Sequence, residues 1–449
     1  MAPKNPSFKA GMFLLETLTA GMYNQPLSIY REYIQNAVDS IDSSKYKNPQ
    51  MRVEINLDPF SKKIEITDNG DGIRARDAEE VLGNIGISNK IDQNLRGFRG
   101  IGRLGGIAFS EKVTFVTKAK NENVESVQEW DCVKLNEIIN DKKNNSMSLR
   151  QLFNKITKFS QNKLTKKTGS YFKVVLEGVT SFKNYLFDIQ KIKNYLSEIA
   201  PLPFDREEFS YADSIDDYLS QRLSLYGQYD ILLNGEPLYK PYKNMIWITK
   251  KELDIIDEVQ FFEIMIDDEP GAFGWYGLRR DLLGSIAKAE RSSGIKVRRG
   301  NILIGDSQML SPCFREPRFN SYMVGEIHID SDKLTPNSRR DDFVDNEYKA
   351  VFYNEVERMI GLPISKEIRL RSRLASTSPK SPLPPKQEPI KEEAPQAPLE
   401  PCVVQKVQAE SLRQNECEHL LKLLDKCSRC ENIATCEVGA IISRMGRKN

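Results

Sequence analysis

The chain has no apolar run approaching twenty residues, so its sequence offers no transmembrane helix. It also lacks the basic-then-apolar start of a secretory leader. Neither sign of charge is in surplus. Lys and Arg number 65 against 63 Asp and Glu, a net of +2, so bulk charge argues neither for nor against nucleic acid. Histidine is nearly missing, with only His328 and His419. Cysteine is odd in number at seven, and Cys132, Cys313 and Cys402 are scattered, which suits a reducing cytoplasm better than a disulfide framework. What is present is ordinary for a globular protein: 39% hydrophobic and 29% charged residues over 449 positions, enough for two or three domains with real cores.

The richest stretch is Arg31-Glu32-Tyr33-Ile34-Gln35-Asn36-Ala37-Val38-Asp39-Ser40. Glu32, Asn36 and Asp39 fall at i, i+4 and i+7, one polar column on a helix, while Ile34, Val38 and Ile41 repeat that spacing on another face. A carboxylate, an amide and a second carboxylate in line suit a metal-nucleotide site. The amide oxygen can hold Mg²⁺, and the first carboxylate can orient or deprotonate a water. A solvated polar stripe would show the same spacing, so the column needs support from elsewhere.

Two more stretches supply it. Met51–Leu57 alternates as a strand, Asp58-Pro59-Phe60-Ser61 turns it, and Lys63–Thr67 returns directly into Asp68-Asn69-Gly70-Asp71-Gly72. Two glycines one residue apart let backbone approach a flat ligand, and an Asp at the strand end can accept from an exocyclic amine. Further on, Gly97, Gly100, Gly102, Gly105 and Gly106 put five glycines in ten residues, beside Arg96, Arg99 and Arg103. Such a loop frees backbone N–H groups to face anionic oxygens. Three elements suited to one nucleotide, in succession, are much harder to obtain by chance than any one alone.

Beyond them, Lys112–Lys118, Ser126–Leu135 and Tyr171–Leu176 are predicted strands, and residues 140–168 a polar, lysine-rich insertion. Residues 185–226 read as helical. Gln228–Leu233 and Glu236–Tyr239 flank Asn234-Gly235, a hairpin pattern. Val259–Ile266, Gly274–Leu278, Ile295–Arg298, Asn301–Ile304 and Met323–Ile329 continue a mixed α/β region, with His328 a packed strand residue. Asn337-Ser338-Arg339-Arg340 then lies in a loop before a helix over 345–360. Its arginines either reach a phosphate on a neighbouring domain or pair with charges at the helix start. Residues 371–405 are dominated by Ser, Pro, Lys and Glu and read as an extended linker. After it Cys417, Cys427, Cys430 and Cys436 fall at C-x9-C-x2-C-x5-C, a spacing that suggests zinc or an iron–sulfur cluster stapling a small helical module.

With these residues in hand the sequence resembles the GHKL ATPases, and within them the ATPase and middle domains of the heat shock protein 90 chaperones. Glu32-x3-Asn36-x2-Asp39, Asp68-x-Gly70-x-Gly72 and Gly97-x2-Gly100-x-Gly102 are similar to that family's three nucleotide boxes. Leu82–Ser88 and Lys333–Arg340 follow the chaperone pattern. The resemblance implies an α+β chain. A Bergerat-type ATP-binding α/β sandwich would span residues 1–180 and a middle- or transducer-like α/β domain 181–370, before the linker (371–405) and a Cys-rich module (406–449). It implies Glu32 as general base, Asn36 as Mg²⁺ ligand, Asp68 on the adenine amine with Gly72 lining that pocket, and Asp39 and Gly70 among the other cofactor-binding residues. Gly97, Gly100 and Gly102 would wrap the phosphates under a mobile lid, Lys90 and Ile101 would be further cofactor-binding residues, and Thr168 or Ser170 would stand on the adenine side. Arg339 would make the γ-phosphate contact, because it follows Asn-Ser as in the family, with Arg340 the alternate.

Two functions follow from the resemblance. One is an ATP- and Mg²⁺-dependent, chaperone-like switch acting on protein clients in the cytoplasm, as a homodimer if the family's habit holds. The other is an ATP-gated, nucleic-acid-associated clamp of the MORC, mismatch-repair or topoisomerase kind, favoured by the cysteine module and by basic segments such as Lys296–Arg299. A histidine kinase, which needs a phosphoacceptor His on a helix, is disfavoured, because His328 sits in a predicted strand and His419 beside a cysteine. The chaperones end in a large dimerisation domain, where this chain has a proline-rich linker and a short cysteine module.

Overall fold

A computed structural model of the chain describes residues 11–15, 25–44, 51–85, 102–144, 146–165, 169–337 and 339–377. All belong to a unit spanning Met1–Pro379; a second unit, Lys380–Asn449, lies outside the described residues. Helix α1 (Ser28–Asp42) starts just past Pro26, with the Ser28 hydroxyl donating to the Gln25 carbonyl at 2.6 Å. Pro there fixes φ without forfeiting a helical hydrogen bond. Ile29, Tyr33, Ile34, Ala37, Val38 and Ile41 bury its apolar face.

Strands β1 (Arg52–Asp58) and β2 (Lys63–Asp68) form the expected antiparallel pair, in register from Val53↔Asp68 to Asp58↔Lys63. The Asp58 carboxylate closes the turn by accepting from the Phe60 and Ser61 N–H groups at 3.0 and 3.1 Å. Next come α2 (Ala75–Gly83), β3 (Lys112–Lys118), β4 (Val124–Asp131), α3 (Cys132–Asn140), α4 (Leu149–Ile156), β5 (Thr157–Lys163), β6 (Tyr171–Glu177) and α5 (Ile189–Ile199). With α6 (Ala212–Ser220), β7 (Asp230–Leu233) and β8 (Glu236–Pro237), they complete an eight-stranded sheet ordered β5-β4-β3-β6-β2-β1-β7-β8. Packing of α1 on β1 and β2 sets the polar column beside the end of β2.

A six-stranded sheet follows: β9 (Met245–Trp247), β10 (Leu253–Ile266), β11 (Glu269–Arg279), β12 (Gly294–Arg299), β13 (Ile302–Ile304) and β14 (Val324–Ile329), ordered β13-β12-β14-β11-β10-β9. Helices α7 (Glu347–Val356) and α8 (Leu362–Thr377) contribute Phe352, Val356, Ile364 and Ile368 to its core. Ile302 and Leu303 of β13 are buried instead in the core of the first sheet, so the β12–β13 hairpin bridges the two.

Several sequence expectations are corrected. Ser126–Leu135 is not one strand: β4 ends at Asp131, whose carboxylate accepts from the Lys134 N–H at 2.9 Å and caps α3. The insertion at 140–168 contains α4, opened by a Ser148/Gln151 capping box, and the edge strand β5. An edge strand polar on both faces gives no alternation to read. The stretch 185–226 breaks into α5 and α6 because Pro201 and Pro203 interrupt it. The Asn234-Gly235 hairpin forms with both residues at positive φ (50° and 85°), but it joins the first sheet: β7 runs parallel to β1. Arg371–Thr377, expected in the linker, continues α8. Arg371 pairs with Glu367 at 2.6 Å and donates to the Arg279 and Arg280 carbonyls.

Candidate active site

The polar stripe of α1 is gripped at two points. Near its start Gly102 lies so close to Glu32 that a Cβ on that glycine would collide with the Glu32 carboxylate. Two turns further on, a Cβ on Gly70 would come within 2.5 Å of the Ser40 hydroxyl oxygen. Residues 32 and 40 are about 12 Å apart along a helix at 1.5 Å per residue. Glu32, Asn36 and Ser40 are partly exposed along this stripe, whereas Asp39 is fully buried beside it.

Asp68 ends β2, almost fully buried, and its carboxylate accepts from the Gly70 N–H at 3.0 Å. This fixes the turn and orients the carboxylate at the mouth of the loop. Gly72 has φ +65°, and a Cβ placed on it would fall 2.1 Å from the Lys118 carbonyl oxygen, so no side chain fits. The loop is moored to the sheet by the Thr117 hydroxyl, which accepts from the Ile73 N–H at 2.9 Å and donates to the Tyr171 carbonyl at 3.2 Å. Lys118 donates through Nζ to the Gly169 carbonyl at 2.5 Å. At the glycine segment the Tyr33 hydroxyl accepts from the Gly106 N–H at 2.8 Å and donates to the Arg103 carbonyl at 3.1 Å, tying residues 102–108 to α1. Burial lowers the Arg103 guanidinium to about 10.

Two guanidinium groups flank Glu32. Arg31 Nε lies 3.7 Å from Glu32 Oε1, and Arg340 Nε, from the loop after β14, lies 3.7 Å from the same oxygen. Arg339 turns outward: its side chain is exposed and pairs with Asp341 at 2.9 Å, while its carbonyl accepts from Arg31 at 3.3 Å. A left-handed backbone at Arg340 (φ 57°) reverses the chain and sends the two neighbouring side chains apart. The guanidinium at Glu32 is therefore the alternate of the two named from the sequence.

The structure thus brings together Glu32, Asn36, Asp39, Asp68, Gly70, Gly72, Gly102 and Arg340. Lys90, Gly97, Gly100, Ile101, Thr168, Cys417, Cys427, Cys430 and Cys436 lie outside the described residues. Among the described residues no cluster of His, Cys, Asp and Glu is arranged to hold a metal, and no helix is long and apolar enough to cross a membrane. Sequence reading missed Tyr33 and Thr117, whose hydroxyls hold the two loops. Tyr33 looks like one more apolar helix residue and Thr117 like one more strand residue, so only their partners reveal them.

An α/β sheet presenting a helix-borne carboxylate between two glycine loops defines a nucleotide-binding fold. Residues 26–163 match the family model described as histidine kinase-, DNA gyrase B-, and HSP90-like ATPase, and this segment is an ATPase domain of that GHKL family. The chain is similar to chaperone protein HtpG of Acinetobacter baylyi, 31% identical over 136 residues, which are 25% of this chain and 21% of the relative. It is also similar to the HtpG of Albidiferax ferrireducens, 28% identical over 153 residues (29% and 23% of the two chains). The chain spans only about a fifth of the length of these curated relatives. Arg340 lies beyond the matched segment.

Proposed function

We propose that the chain hydrolyses ATP in a Mg²⁺-dependent reaction, and that it uses the resulting closure to act on protein partners, as a chaperone-like switch. One observation carries this reading: a single carboxylate, Glu32, meets the glycine segment at Gly102 and, from the second sheet, the Arg340 guanidinium. A general base beside a charge-stabilising arginine supplied from another sheet is the pairing phosphoryl transfer calls for. Glu32 orients and deprotonates the attacking water. Asp68 accepts from the adenine amine, with Gly72 leaving room for the ring. Arg340 withdraws from Glu32 toward the γ-phosphate as charge develops there.

Asn36, partly exposed one turn along from Glu32, would hold Mg²⁺, which when bound would neutralise charge on the phosphate oxygens. Cys132 and Cys313 are free buried thiols, which supports a reducing compartment. The similarity to HtpG supports protein rather than nucleic-acid partners.

The test is steady-state ATP turnover by the full chain with Mg²⁺ and with EDTA, followed by capture of partners on ATP-loaded Glu32→Ala protein. Mg²⁺-dependent turnover and ATP-dependent retention of proteins are expected. Absence of turnover under all conditions, or retention indifferent to ATP, would end the switch reading.

A further inference from the structure

Arg298 and Arg299 are neighbours on β12, so their side chains leave opposite faces of the strand. Arg298 turns inward, pairing with buried Glu326 at 2.5 Å. It also donates to the Glu198 carbonyl at 2.7 Å and the Ala200 carbonyl at 3.5 Å, at the end of α5. That helix packs against α1, and the Tyr195 phenol on it is pushed up by burial, with smaller effects from the charges of Arg31 and Glu32. The hairpin is thus seated on the element behind Glu32.

Arg299 turns the other way, onto the stem of the Arg340 loop. Its guanidinium donates to the Ser331 carbonyl at 3.0 Å and the Leu334 carbonyl at 2.9 Å, and pairs with Asp332 at 2.7 Å. One rigid planar group gathers three acceptors from four consecutive residues, a geometry that a lysine, as a point charge, does not reproduce. The same hairpin also holds the loop's tip: the Gly305 N–H, just past β13, donates to the Arg340 carbonyl at 2.8 Å.

Resting on the reading of Arg340 given above, we infer that Arg299 is a positioning residue for ATP hydrolysis, fixing the loop stem so that Arg340 is delivered to the Glu32 site. The β12–β13 hairpin is the part that keeps the loop and the carboxylate helix in register. Among the described residues Arg299 makes its polar contacts with Ser331, Asp332 and Leu334 and none with Glu32, Gly70, Gly72 or Gly102. Its loss therefore lowers turnover without weakening ATP binding, since displacing a reacting group by about 1 Å can cost up to a hundredfold.

The experiment measures kcat and KM for ATP on the full chain for wild type, Arg299→Met, Arg299→Lys, Arg340→Ala and the Arg299→Met/Arg340→Ala double variant. Binding of a non-hydrolysable ATP analogue is measured in parallel. Arg299→Met is expected to lower kcat about tenfold with KM and analogue affinity within about twofold of wild type, Arg299→Lys to recover part of that loss, and the double variant to be no slower than Arg340→Ala. Normal kcat in Arg299→Met beside a slow Arg340→Ala overturns this inference alone. So does a double variant whose losses multiply. Normal turnover in Arg340→Ala removes the arginine reading beneath it. Should Arg299→Met fail to fold, Asp332→Asn, at a mostly exposed partner, takes its place: a fall of about twofold in kcat supports the inference, and none overturns it.

Discussion

The Arg340 guanidinium stands 3.7 Å from the Glu32 carboxylate, and both side chains are only 14% exposed. The two belong to different sheets' surroundings, yet their charges meet where water is largely excluded. An ion pair of this kind is held partly desolvated, where the attraction between its charges is screened less than at an open surface.

Replacing Glu32 with Ala should leave nucleotide binding intact and cut hydrolysis by about 10² to 10⁴, the usual worth of a general base. Phosphate release and analogue binding measured on the same preparation separate the two effects. Hydrolysis retained at wild-type rate would remove Glu32 from the base role.

Asp68→Asn changes one oxygen to an amide at a buried position that already accepts from the Gly70 N–H. Losing charge-assisted acceptance costs about 1.5–3 kcal/mol, or roughly ten- to a hundredfold in Kd for ATP. Calorimetric titration with ADP and ATP checks it; an unchanged Kd counts against the adenine contact.

Gly72→Ala forces a side chain into a left-handed conformation and onto the Lys118 carbonyl. A destabilisation of about 1–3 kcal/mol is expected, seen as a lower Tm together with weaker nucleotide binding. Gly83→Ala is the control. No described residue beyond its own helix and chain neighbours comes within 4 Å of the place a Cβ would take, and Gly83 closes α2. Its Tm should equal or exceed that of wild type.

Acid should weaken the second sheet through His328. Burial lowers its imidazole from 6.5 to about 4, despite Glu326 at 3.0 Å, with Lys240 and Arg298 facing the same carboxylate and Tyr226 edge-on. Below pH 6.5 the unfolded imidazole binds a proton that the folded one refuses until about pH 4. Stability therefore falls as pH drops through that window, by about 1.4 kcal/mol per pH unit and about 3 kcal/mol in all. Urea unfolding between about pH 7 and pH 4 should show this slope in wild type and a flatter one in His328→Gln. Equal slopes would refute it.

The local elements were legible from the chain itself. The spacing of Glu32 and Asn36, the strand-end Asp68 and the glycine segment each rest on a period or a turn, and periods and turns are properties of neighbouring residues. The Asn234-Gly235 hairpin was legible for the same reason, but its pairing with β1 was not: nothing in a parallel edge contact is written in the hairpin's own residues. Likewise polar β5 carried no alternation, and α8 ran past the point where composition changed because Arg371 found partners in Arg279 and Arg280.

By itself, then, the sequence determined which groups could do chemistry and on which local elements they ride, because helix and strand geometry convert spacing into direction. Only the tertiary structure decided that Arg340 and not Arg339 faces Glu32, and that Tyr33 and Thr117 hold the loops. Those outcomes depend on a positive φ and on contacts between distant segments, which packing selects and local spacing leaves undetermined.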